Sequence, residues 1–305
     1  MGMVWLMKSS RLQKLFAELQ VALAEEIYKQ YDKVTNKVAK IQKTNRQTIL
    51  DAVARIILEE EVVDGVLNLS LASKTRLKKE LNKLIKEVLR GEYEAESDII
   101  TDTLFDVAKD KYYSNCYLYG LGVSYTVKPV TEAVLRQIVN KKIDGKTYSN
   151  RIWANKDKVA KQIRIEVDRF LNGKTDINSI NSRISSRFNV NWNNSNRLVR
   201  TEIAKVQTQA NEYWAKEHGI KKQLFSATLD SKTSKICQSL DGQVYDYDDS
   251  NKPIPPLHPN CRSCLIDMVE GWKPTQRWDN EAKERINYKT YREWYSEQDF
   301  KTDKG

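Results

Sequence analysis

Between Cys237 and Cys264 the chain packs three of its four cysteines and one of its two histidines into 28 residues. Cys261 and Cys264 form a Cys-x-x-Cys pair, His258 lies three residues before it, and Cys237 lies upstream. Soft and borderline ligands at such spacing are what a tetrahedral zinc site requires. Pro253, Pro255, Pro256 and Pro259 hold the approach to His258 extended, because each fixes its own φ and restricts the residue before it. A stretch with these constraints cannot be a long helix. The reading is a small rigid module in which Cys237, His258, Cys261 and Cys264 close around a structural zinc ion, with no position left for a catalytic water. A proline-rich packing element with free thiols accounts for the same residues without a metal.

The remainder reads differently. Leu12, Phe16, Leu19, Leu23, Ile27, Tyr31, Val34, Val38 and Ile41 recur at steps of three and four, predicting a long amphipathic helix that resumes after Asn45 through Leu58. Val63-Asp-Gly-Val66 marks a turn. A second helix is expected over 73–90, ended by Gly91, and a third over 92–119. Alternation over 123–127 suggests a short strand. Further helices are expected from Thr131 to about Asn140, from Tyr148 through Arg169 and over 176–188. An Asn-rich loop at 189–196 then leads into a helix from Arg197 to His218. Beyond it come a strand at 223–228, a hairpin signal at Asp241-Gly242 and an extended run from Cys264. The fold class is mainly α, with long N-terminal helices and a small α+β C-terminal module. The expected division is 1–127 helical, 128–199 basic, 200–272 the α+β module and 273–305 a terminal arm.

Net charge is +10, and its location decides more than its size. Residues 128–200 hold 16 Lys/Arg against 6 Asp/Glu, while the remainder balances at 35 of each. An excess confined to one segment suggests a polyanionic partner such as double-stranded DNA, met through phosphates in a salt-sensitive, sequence-independent way. The candidates are Lys141, Lys142, Lys146, Arg151, Lys156, Lys158, Lys161 and Arg164. A solvated helical face, or contact with an acidic protein surface, accounts for the same charges. No apolar run approaches the length of a membrane span. The clustered cysteines do not look like a secreted disulfide framework, so synthesis in a reducing cytoplasm is expected.

A series of residues in fixed order carries a resemblance. It comprises Ile143-Asp-Gly-Lys-x-Tyr-Ser-x-Arg-Ile-Trp153, Arg200-Thr-Glu202, Asp230, Cys237-x-x-Leu-Asp-Gly242 and Pro255-Pro-x-His-Pro-Asn-Cys-Arg262. Over about 141–272 the chain resembles the phage head-morphogenesis family, the minor head proteins similar to protein F of phage Mu. That resemblance implies a minor capsid component rather than an enzyme. Such a component is made in the bacterial host cytoplasm and ends inside the virion head, with portal protein, other capsid components and DNA as partners. Arg200, Glu202, Asp230, Asp241 and Gly242 are read as structural: Arg200 and Glu202, two apart on a helix, do not face each other and more simply anchor neighbouring loops.

The competing reading is a nucleic-acid-processing, nuclease-like enzyme using the Cys/His module. Two histidines, no dense carboxylate cluster and no nucleophile–base pair speak against it. An effector whose C-terminal toxin rides on the module is a third reading. Against it, the 33 residues after Trp272 are too few for a usual catalytic domain.

Overall fold

The apolar stripe becomes one helix, α1 (Ser10–Glu59), without the expected break at Asn45. A computed structural model of the chain describes residues 10–121, 127–268 and 274–298, with side chains from Tyr31 onward. The strand expected over 123–127 falls almost wholly outside the described residues. Two compact units emerge: Tyr31–Thr103 with Asn140–Val199, and the rest of the described chain. The chain passes from one unit to the other at Thr103–Leu104, Val139–Asn140 and Val199–Arg200.

In the first of these units, β1 (Val62–Val63) and β2 (Val66–Leu67) form an antiparallel hairpin. Its two turn residues, Asp64 and Gly65, have φ of 49° and 76°, the left-handed pair that matches the twist of the strands. The next helix, α2 (Leu71–Gly120), runs straight through Gly91 instead of ending there. Gly91 has no positive φ, and Leu89 and Glu92 on either side are buried. Anchoring on both sides outweighs the roughly 1 kcal/mol that a mid-helix glycine costs.

After α3 (Glu132–Val139), α4 (Tyr148–Leu171) opens with a capping box, Thr147 and Asn150 each accepting the other's backbone N–H. The expected Asn-rich loop is absent: α5 spans Ile180–Glu217 without interruption. Asn191 there is buried and donates to Glu92 Oε1 at 2.6 Å, so tertiary hydrogen bonds override the weak helix propensity of asparagine. An apolar core that includes Ile49, Leu77, Ile85, Val159, Ile163, Phe170 and Ile184 fills this unit.

The other unit carries the α+β module. β3 (Lys222–Ser226) is the centre of a three-stranded antiparallel sheet, flanked by β4 (Val244–Asp246) and β5 (Cys264–Met268). A short helix, α6 (Lys235–Leu240), precedes β4, so Asp241-Gly242 joins a helix to a strand rather than two strands. Within the expected terminal arm, residues 274–298 form three elements. β6 (Gln276–Asp279) and β7 (Glu284–Asn287) form a hairpin, and α7 (Tyr291–Ser296) buries Tyr291 and Trp294 against Leu229. Tyr119 and Trp214 meet with ring centroids 4.2 Å apart, and His218 stacks on Trp214. Among the described residues no helix is long and apolar enough to cross a membrane.

Candidate metal centre and its surroundings

Ser234 is the N-cap of α6: its hydroxyl accepts the backbone N–H of Cys237, one turn into the helix. That cap points Cys237 into the module, where Phe225, Ala227, Cys261 and Leu265 bury it. Cys261 arrives from the proline-rich segment, which contains a cis peptide between Pro255 and Pro256. Asn260, at φ 59°, reverses the chain just before it; the Asn260 N–H donates to Thr201 Oγ1 on α5 at 3.2 Å. The two sulfurs are 3.8 Å apart, and Cys237 Sγ is 3.3 Å from His258 Nε2.

The donor set fits a zinc-type cation. One ligand atom each from Cys237, His258 and Cys261 lies within 4.8 Å of the other two. His258 Nδ1 donates to the Pro259 carbonyl at 2.9 Å, because a carbonyl only accepts. In the neutral ring this leaves the Nε2 lone pair facing the sulfurs and the Ser234 hydroxyl, 2.9 Å away. The hydrogen bond with Cys237 pulls the Cys261 thiol down to about 5 despite burial, helped by backbone N–H groups of Leu257 and Ser263. The same bond, with burial, pushes Cys237 up, so the pair is a thiolate held by a thiol.

Cys264 does not join them. It begins β5, where side chains alternate between faces: Ser263 and Leu265 are buried and Cys264 between them is exposed. The expected Cys-x-x-Cys knuckle gives way to a strand, and three protein donors remain of the four expected.

The other motif residues have varied surroundings. Asp230 takes a bidentate pair from Arg262, with Nη2 donating to Oδ1 at 2.8 Å, and also accepts from Lys232 N and Thr233 Oγ1. Burial opposes its ionisation, but the Arg262 and Thr233 bonds outweigh this and hold it below the usual carboxylate range. Asp241 accepts from Ala227 N at 2.7 Å, Tyr291 N at 2.5 Å and both terminal nitrogens of Arg277. Gly242 has φ 78°. Glu202 is buried beside Lys205, 2.5 Å away, and Arg200 is exposed. Sequence reasoning gave no role to Arg277, which sits 36 residues beyond Asp241 in a polar stretch without a motif.

One basic-segment expectation is overturned. Lys156 is 2% exposed, its ammonium 2.7 Å from Glu92 Oε1 and 2.5 Å from Glu96 Oε2, and it also donates to Asn191 and Ser195. At 100° per residue it falls on the core face with Ile152, Val159 and Ile163, not with the surface charges. Lys141, Lys142, Lys146, Lys158 and Lys161 are exposed, and Arg164 is partly so. Arg151 is only partly exposed and donates to the Ile143 carbonyl at 2.6 Å, bracing the turn before α4.

Residues 161–266 match the family described as Phage Mu protein F like protein, a span from within α4 to within β5. Minor head protein GP7 of Bacillus phage SPP1 is 24% identical over 243 residues, covering 72% of this chain and 78% of that protein. A protein named NAD(+)–arginine ADP-ribosyltransferase EFV, from Enterococcus faecalis, is 26% identical over 310 residues, covering 94% of this chain. The chain spans 61% of that relative's length. No solved structure matches the chain.

Proposed function

We propose that the chain is a minor head protein that takes part in phage or prophage head assembly, a structural rather than catalytic component of the virion. The observation that carries this is the family match over 161–266, which includes Cys237, His258 and Cys261, together with the likeness to a minor head protein over most of both chains. The partners proposed are the portal protein and other capsid components, with the chain inside the head near the portal.

Within that role the exposed lysines 141, 142, 146, 158 and 161 are proposed to meet packaged DNA through its phosphates. Cys237, His258 and Cys261 are proposed to hold a zinc-type ion that fastens α6 to the proline-rich segment. Such an ion would supply structural cross-linking, since its donors come from separate stretches of chain.

The nuclease-like alternative has less support. Asp230 and Asp241, the carboxylates it would call on, are each engaged by an arginine, Asp230 also by Lys232 N and the Thr233 hydroxyl and Asp241 also by Ala227 N and Tyr291 N. The name of the Enterococcus relative raises an ADP-ribosyltransferase reading, but this chain spans too little of that protein to carry it. Co-expression with the portal protein from the same genome tests the proposal: the tagged chain should retain the portal through purification. A chain that elutes without it under conditions where the portal is assembled overturns the reading.

A further inference from the structure

The metal reading leaves one coordination position unaccounted for. Zinc-type ions take four ligands in structural sites, and among the described residues the cluster offers three. Beside it stands Ser234, whose Oγ is 2.9 Å from His258 Nε2 and also caps Cys237 N. In front of Ser234, Cys237 and His258 lies a cleft of about 20 Å³, room for one water-sized group. Thr228, Lys232, Asn260 and Arg262 also line it.

From these contacts we infer that Ser234 and the cleft occupy the fourth position of the centre, so that a cation held by Cys237, His258 and Cys261 keeps one exchangeable oxygen ligand. The inference rests on the metal reading above and goes beyond it, because a closed staple admits no outside ligand. A neutral hydroxyl is a far weaker donor to a zinc-type ion than a thiolate, so water or a small oxyanion competes with it readily. The rim favours an anion. Lys232 is exposed there, whereas the Arg262 charge is matched by Asp230. The volume admits one oxygen atom of such a group, not the whole of it, so the chemistry selected is a carboxylate-type oxygen reaching in from solvent.

Cobalt(II) bound to the full-length protein tests this through its visible absorption, which reports ligand number and type. In the wild type, the d–d band should shift when acetate is added. Ser234→Cys should bind cobalt more tightly, gain sulfur-to-metal charge-transfer intensity and lose the acetate response. An acetate-insensitive wild-type band, with a Ser234→Cys spectrum identical to wild type, overturns the inference while leaving the metal reading intact. No cobalt bound by the wild type, matching a Cys237→Ser control, overturns both. Should Ser234→Cys fail to fold, the acetate response of the wild type decides alone.

Discussion

Asp241 and Arg277 form a nearly buried bidentate pair, with Nη1 donating to Oδ2 at 2.8 Å and Nη2 to Oδ1 at 3.1 Å. Asp241 also receives Ala227 N and Tyr291 N, while Arg277 donates to the carbonyls of Ala227 and Lys289. The two side chains thereby join the end of β3, the β6–β7 hairpin and the start of α7. Every lone pair of the carboxylate that faces the interior is used, which is the condition under which a buried ion pair holds.

Asp241→Asn should therefore destabilise the protein by about 3 kcal/mol, because it leaves Arg277 buried without its counter-charge. The double variant with Arg277→Met should lose much less than the sum of the single losses. Urea unfolding of all four proteins measures this; additive losses would show that the two residues act independently.

Gly242 sits next to this pair. Its φ of 78° disfavours any residue with a Cβ, and a Cβ built there would lie 2.8 Å from Thr290 Cγ2. Gly242→Ala is expected to cost about 2 kcal/mol from the left-handed backbone alone, with the Thr290 contact adding to it. Pairing it with Thr290→Ser, which removes that methyl group, should recover part of the loss in a thermal melt.

Asp267 gives the module a pH dependence. It is buried, and desolvation raises it to about 7 even though Gln223 and Asn211 donate to Oδ1 and Lys111 lies near; Glu212 pushes in the same direction as burial. Its Oδ2 is buried without a partner, which suits a protonated oxygen. The folded state thus keeps a proton that the unfolded chain releases near 4. The stability that this proton contributes is full below the unfolded value, falls as pH rises, and is gone above about 7. Asp267→Asn should flatten this slope, with its stability relative to wild type improving between pH 5 and pH 8. Parallel curves for the two proteins across that range would contradict it.

Lys156 and the exposed lysines should separate cleanly. Lys156→Met strands Glu92 and Glu96 without their cation and should destabilise the protein by about 3–5 kcal/mol. Lys142→Ala with Lys146→Ala should leave stability within about 0.5 kcal/mol. That pair should weaken duplex DNA binding and lower the slope of log affinity against log salt by about 2. Filter binding across a salt series reads both effects.

Much of this was legible in the sequence, and what was not has identifiable causes. The long helices follow from the apolar stripes, and the Asp-Gly turn at 64–65 from left-handed backbone preference. Gly91 and the Asn-rich stretch misled because propensity weighs local cost only, whereas buried Glu92, Asn191 and Lys156 hold those turns of helix by contacts distant in sequence. Cys237, His258 and Cys261 were visible as a cluster. The exclusion of Cys264 was not, since it depends on β5 beginning at that residue and setting its face. Asp241 stood in a motif, but its partner Arg277 lay in a polar stretch whose position only the folded chain fixes.

The most direct measurement is the protein composition of isolated heads. The chain would be co-expressed with the portal and major capsid proteins of its own genome, and the particles purified and quantified by mass spectrometry. Its presence in the particles at a fixed ratio to portal, resistant to washing from intact heads, is the expected result. Heads that form with portal but without this chain, while it stays free in the lysate, would contradict its assignment as a minor head protein.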